Sequence, residues 1–177
     1  MEPKNSVLKI DNLFARRSIR RFTGQPVTEE QIQTLLQAGM AAPSAGNRKP
    51  WHFIAITDQG TRDALADAHP HAQMLHEAPL CIVPCGDPGL SFADRPDYWI
   101  QDLAAATENI LVAALGLGLG SVWCGVYPVQ DRVSATRRIL EIPDHIMPFA
   151  YIVIGHPNES KEPRTQYDPE RVHLGHW

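Results

Sequence analysis

Several things are scarce in this chain, and each scarcity excludes something. Its 177 residues hold only three cysteines, Cys81, Cys85 and Cys124, an odd number with no C-x-x-C pair. That is no disulfide framework, and it suits a reducing compartment. No apolar run is long enough to cross a bilayer, which takes about 20 residues. The longest near-apolar stretch is Ile110 to Leu119. Residues Met1 to Asn12 lack the continuous apolar core of a secretory leader, so a cytoplasmic location is expected. There is no excess of positive charge. The formal net charge is -4, so the broad basic face of a general nucleic-acid binder is not expected. No low-complexity tract, linker or repeat divides the chain, and one domain over residues 1–177 is expected. With 44% hydrophobic and 20% charged residues, it has the composition of a globular protein.

Familiar catalytic signatures are also missing. There is no G-x-x-x-x-G-K-[ST] phosphate loop and no G-x-S-x-G elbow. Gly116-Leu-Gly-Leu-Gly120 imitates a dinucleotide loop, but its spacing is wrong. Its order is reversed too, because these glycines close a helix before a strand. The eight histidines include His69, His71 and His76, yet none forms a helical i, i+4 pair or an H-E-x-x-H motif. They read as solvated helix-end residues and not as a metal site. Cys124 has no evident cation or helix start beside it. It reads as a small buried residue and not as a nucleophile.

The pattern along the chain is mixed. A short helix is expected over Asp11 to Arg17. Thr28-Glu-Glu-Gln31 has the form of a capping box and opens a helix through Met40. Ala42 to Pro50 is turn-forming. Strands are expected over Trp51 to Thr57, Leu80 to Cys85, Ser121 to Tyr127 and Phe149 to Gly155. Helices are expected over Asp58 to Ala68, His71 to Glu77 and Asp131 to Leu140. From Tyr98 the longest helix carries an apolar stripe at Ile100, Leu103, Ala104, Thr107, Ile110, Leu111 and Ala114. Beyond Ile110 it is apolar nearly all round, so burial by a second subunit is expected. Strict strand–helix alternation is absent, and the fold class is α+β, a sheet wrapped by helices. The polar tail from His156 ends in Leu174 and Trp177, the pattern of an extended arm docked on a neighbouring subunit.

What stands out is Arg16-Arg-Ser-Ile-Arg-Arg21, a knot of cation in an acidic protein. Guanidinium forks pair bidentately with phosphate oxygens, and a serine hydroxyl adds a donor. A solvated basic turn is the competing reading. Two further features join it. The small-residue loop Pro43-Ser-Ala-Gly-Asn47 lets a flat ligand approach the backbone, and Asn47 offers both a donor and an acceptor. Trp123-Cys-Gly125 closes a strand on a bare backbone.

Taken together, Arg16 to Phe22, Ala42 to Trp51, Tyr98 to Asp102, Gly116 to Trp123, Tyr151 to Pro157 and Arg171 to His173 with Trp177 resemble the FMN-dependent nitroreductase family over nearly the whole chain. The resemblance implies an α+β fold with a central mixed sheet, built into an intertwined homodimer with FMN at the subunit interface. It implies that Arg16 and Ser18 hold the FMN phosphate, with Arg17 nearby and Arg164 adding a contact. Arg20 is implied near the N1/O2 edge of the ring. Pro43, Ser44, Ala45 and Asn47 are implied to come from the other subunit, and the backbone of Cys124 or Gly125 to approach N5. The implied reaction passes two electrons from NADH or NADPH to a nitroaromatic, quinone or similar electrophile by a ping-pong route. A non-enzymatic flavin carrier is the alternative, as is a same-fold enzyme of reductive dehalogenation or flavin fragmentation. Lys49 stands where the family often has glutamine, and Gln166 where a basic residue is common. Pro88 to Pro96 leaves little room for a lid.

Overall fold

Alternating residues decide the layering. In the computed structural model, which describes residues 10–95 and 97–177, β2 (Leu80–Gly86) is buried along its whole length. Cys81, Val83 and Cys85 pack with Leu65 of α3 (Gln59–Asp67) and Val133 of α5 (Gln130–Leu140). Leu80 and Ile82 pack instead with Ile110 and Leu111 of α4 (Tyr98–Gly116) and Leu35 of α2 (Glu29–Met40). The same split runs through β5 (Ala150–Gly155): Tyr151 and Val153 face one helical layer, Ile152 and Ile154 the other. A period-two strand buried on both faces needs this composition. The result is a helix–sheet–helix sandwich, the α+β class expected.

The sheet order is β1 (Trp51–Ile56), β2, β5, β3 (Gly120–Gly125), with the short β4 (Met147–Pro148) paired to β2. Every pairing of named strands is antiparallel. The mixed character expected of the sheet is confined to a parallel bridge between Ser18 and Ser121.

Local expectations hold with trimmed ends. Thr28 and Gln31 cap α2 reciprocally, with Gln31 N–H to Thr28 Oγ1 at 3.2 Å and Thr28 N–H to Gln31 Oε1 at 3.0 Å. The first helix, α1 (Asp11–Ala15), stops before the arginines, whose backbone turns extended at Arg16. His71 to Glu77 contains only a 3-10 turn at Gln73–His76.

The apolar half of α4 corrects one expectation. Ile110, Leu111, Ala113 and Ala114 are already buried within one chain, under α2 and the sheet, so a second subunit is not required to cover them. The leader reading of Met1 to Asn12 falls largely on residues 1–9, outside those described, and Pro96 of the short lid segment is outside as well.

Candidate active site

The basic segment is clamped between a strand and the tail. Ser18 bridges Ser121 of β3, and Ile19 N–H donates to the Ser121 carbonyl at 3.0 Å. Ile19 and Phe22 point into the core and are buried. Phe22 bridges Pro157, Thr23 N–H donates to the His156 carbonyl at 2.9 Å, and Asn158 N–H returns to the Arg21 carbonyl at 2.9 Å. Gly120 allows the close approach: a Cβ there would sit 2.8 Å from Ile19 Cγ2. Apolar anchors at Ile19 and Phe22 thus leave the arginines at the surface of a fixed ribbon.

That ribbon borders two recesses. One, of about 200 Å³, is lined by Arg16, Arg17, Ser160 and Lys161, with Gly118 to Ser121 along its wall. Lys161 was not foreseen, because the tail carries no periodicity that would fix its direction. Its Nζ donates to the Ser18 carbonyl at 2.6 Å and pairs with Glu159 at 3.2 Å. Arg16 pairs with Glu108 of α4 at 3.1 Å, and the Arg17 guanidinium donates to the Glu162 carbonyl. Three cations around so small a space, each held by a local acceptor, form the donor set that a phosphate monoester matches.

The second recess, of about 410 Å³, is lined by Arg20, His69, His71, Cys124, Gly125 and Arg132, among others. No ion pair engages Arg20 or Arg132 among the described residues. The space in front of Gly125 is open, since a Cβ there would meet nothing within 4 Å. Cys124 donates its thiol to the His71 carbonyl at 3.3 Å, and burial pushes its pKa up to about 11. It is therefore a protonated, inert thiol at neutral pH.

His69 corrects the solvated-histidine reading. It is only 1% exposed, because the chain folds back after α3 and tucks the ring against Tyr151 of β5. Burial holds its pKa below the ordinary value, and the Arg132 charge pushes the same way.

The loop from Pro43 to Lys49 borders neither recess of the same chain. Gly46, Asn47 and Lys49 all take positive φ, near +55°. Such a backbone needs support. Asp102 of α4 accepts the Ala45 N–H at 2.8 Å, Ser44 Oγ accepts the Lys49 N–H at 3.0 Å, and Gly46 lies against the Phe92 ring. Asp102 was another omission, though its place on the buried face of α4 with Trp99 and Ala106 was a readable signal. Ser18 and Arg164 also line neither recess. Ser18 is taken up by the β3 bridge, and Arg164 is exposed, with its N–H on the Phe14 carbonyl at 3.2 Å. The structure thus brings together Arg16 with Arg17, and Arg20 with Cys124 and Gly125. It leaves Pro43, Ser44, Ala45 and Asn47 apart.

This fold and these recesses define an α+β protein with a row of cations along one edge of its sheet. A family model described as Nitroreductase family matches residues 13–73 and 68–156, and the chain belongs to that family of oxidoreductase enzymes. A protein of Methanothermobacter thermautotrophicus, provisionally named NADH dehydrogenase/NAD(P)H nitroreductase, is 43% identical over 174 residues, spanning 97% of this chain and 90% of its own. A crystal structure from Parabacteroides distasonis with the same provisional name has a TM-score of 0.90 at 40% identity, covering 95% of this chain and 98% of that one. A provisionally named nitroreductase of Desulfovibrio desulfuricans, solved in complex with FMN, has a TM-score of 0.80 at 28% identity, with coverage of 95% and 96%.

Proposed function

We propose that this chain is an NAD(P)H-dependent FMN oxidoreductase that reduces a nitroaromatic, quinone or similar electrophile by a ping-pong route. One observation carries the reading: a three-cation recess and a second recess, with two arginines outside any described ion pair and a bare strand end, lie along the same ribbon. The donor set fits FMN. Arg16, Arg17 and Lys161 would take the phosphate, and Arg20 would supply positive charge toward the ring. The Cys124–Gly125 backbone would approach the reactive edge. When bound, FMN supplies the redox chemistry, accepting a hydride from NAD(P)H and passing two electrons on. The protein orients the ring and shapes the space in which donor and acceptor take turns. No side chain is assigned a proton in the reaction. The buried thiol of Cys124 and the neutral ring of His69 suit that assignment.

The working unit is proposed as a homodimer of single-domain chains, with residues 156–177 forming an extended arm. Pro43, Ser44, Ala45 and Asn47 of one protomer would complete the site of its partner. Their separation from both recesses supports this, as do Leu174 and Trp177, which lie fully open in one chain. Three unpaired cysteines fit a cytoplasmic location, and no described helix is long and apolar enough to cross a membrane.

The test is an absorbance spectrum of purified protein, taken before and after anaerobic NADH and then NADPH. Flavin bands that bleach support an oxidoreductase, and parallel lines in two-substrate kinetics support the ping-pong order. Colourless protein that refuses added FMN removes the reading. Flavin that neither nucleotide bleaches moves it to the carrier alternative.

A further inference from the structure

Gly125 ends β3 with no side chain, and nothing packs where its Cβ would stand. Sterics alone do not hold such a peptide, so its orientation has to come from hydrogen bonds. Its carbonyl receives two. His69 Nε2 lies 2.8 Å away, and Arg132 donates from Nη1 at 3.0 Å. The other face of the His69 ring is also committed, because Nδ1 accepts the His71 N–H at 3.1 Å. A carbonyl at Nε2 and an amide N–H at Nδ1 leave one tautomer, neutral with the proton on Nε2. A second proton on Nδ1 would face the His71 amide donor head-on.

The clamp is itself braced. His69 N–H donates to the Ala66 carbonyl at 3.1 Å, and its own carbonyl receives the Ala72 N–H at 3.0 Å. Thr136, one turn after Arg132 on α5, donates its hydroxyl to the Arg132 carbonyl at 2.7 Å and so accepts from the Tyr151 OH. The Tyr151 ring lies 5.4 Å from that of His69. The groups facing His69 are therefore Arg132 from α5, Tyr151 from β5, Cys124 and Gly125 from β3, and His71 from its own loop. No carboxylate pairs with it among the described residues.

We infer that His69 is a positioning residue: as its neutral Nε2–H tautomer it shares the Gly125 carbonyl with Arg132 and fixes the strand end against which the flavin is proposed to lie. This rests on the proposed function and adds a residue to it. His69 touches no reacting atom in this scheme. It acts through Gly125, and misplacing a reacting geometry by a fraction of an ångström is costly in rate.

The experiment uses FMN-loaded protein with His69→Leu, which removes both ring bonds, and His69→Gln, whose amide can still donate to Gly125 and accept from His71. His69→Leu is expected to shift the visible flavin band and slow flavin reduction at saturating NAD(P)H by about tenfold to a hundredfold. His69→Gln is expected to restore both. A folded, FMN-loaded His69→Leu protein with wild-type band and rate overturns the inference. So does nitrogen-15 NMR of the wild-type chain showing the His69 proton on Nδ1, a readout that stands even where His69→Leu fails to fold. Wild-type protein that binds no FMN brings down the proposed function and the inference together. FMN binding with indifferent His69 variants removes the inference alone.

Discussion

Asp102 and Ala45 lie far apart in sequence but are joined at 2.8 Å, the carboxylate Oδ1 accepting the loop's N–H. Asp102 is 5% exposed, and its second oxygen, Oδ2, is buried without a partner. The bond reaches the loop where three of four consecutive residues, Gly46, Asn47 and Lys49, are left-handed and need restraint. Asp102→Ala deletes the acceptor and leaves the Ala45 amide unsatisfied, at a cost of about 1–3 kcal/mol. Asp102→Asn keeps an acceptor for the Ala45 N–H, so its melting temperature should stay close to the wild type. Thermal denaturation of both variants checks this. Equal losses in the two would show that charge, and not acceptance, is what the loop uses.

The phosphate assignment is tested at its cations. Arg16→Ala and Lys161→Ala should each weaken FMN binding by roughly tenfold to a hundredfold, the size expected for a charge-assisted bond. Fluorescence titration of apo-protein reads this directly. Gly120→Ala should act on the same affinity from a distance. Its new Cβ would stand 2.8 Å from Ile19 Cγ2 and 2.9 Å from Ile19 Cβ, so the arginine ribbon has to move off β3. A Gly120→Ala protein with intact far-UV circular dichroism and unchanged FMN affinity would separate the ribbon from the ligand.

These tests mix residues the sequence shows with residues it hides, and the division is physical. Periodicity exposes whatever lies on regular elements. The α2 capping box, the stripe of α4 and the strands at Trp51, Leu80 and Ala150 could all be read within a residue or two. Arg16, Arg17, Arg20 and Gly125 were legible as clustered charge and as a glycine closing a strand. Lys161 and His69 were not. Each reaches the site because an irregular segment folds back, and no local pattern encodes where such a segment goes. Arg132 sits on α5 near Asp131, Arg137 and Arg138, and nothing local shows that the β3 end lies beside it. Even on α4, the covering of its apolar half by α2 is a tertiary fact that composition alone attributed to a partner.

Acid should destabilise the fold in two stages. Burial holds the His69 pKa below the ordinary 6.5, so the unfolded chain takes up that proton first. The stability His69 contributes is full above about 6.5 and declines as pH falls from there toward the folded value. Asp58 is lowered by the Thr61 N–H and hydroxyl, Asp63 by His76 and Gln59, and Glu159 by the Arg20 N–H and Lys161. Their contributions hold above the ordinary carboxylate values and vanish as pH drops through the folded ones. Urea midpoints should hold from pH 8 to about 6.5 and fall from there to pH 4. His69→Gln should flatten the upper part only, and a slope that survives that substitution assigns it to another group.

Cys124 should be dispensable despite its place in the larger recess. With its pKa near 11, only about one thiol in a thousand is ionised at pH 8. Iodoacetamide at that pH should leave the NAD(P)H-oxidising activity intact, and Cys124→Ser should retain FMN and turnover. Rapid inactivation with label on Cys124 would mean that the thiol is activated in solution and that the inert assignment fails.

The end of the chain carries the last test. Leu174 and Trp177 are 94% and 102% exposed and contribute almost no burial within one chain, while Val172 is half-exposed. The His173 and Trp177 rings nonetheless lie 4.3 Å apart, giving the terminus a local apolar knob. Large apolar side chains left open this way mark a surface that another molecule covers, and burial there would contribute about 1.5–3 kcal/mol per side chain. A twofold dimer would double the gain by exchanging two arms. Deleting residues 172–177 should therefore leave the folded core intact by circular dichroism, because nothing in that core leans on them. The same deletion should shift sedimentation velocity from dimer toward monomer and release FMN, because Pro43, Ser44, Ala45 and Asn47 of the partner would leave the site with it. A truncated chain that remains dimeric and yellow would mean that the arm is an ornament of the fold. The dimer would then have to be held by other exposed apolar groups, of which Leu13, Phe14 and Met40 are the first to substitute.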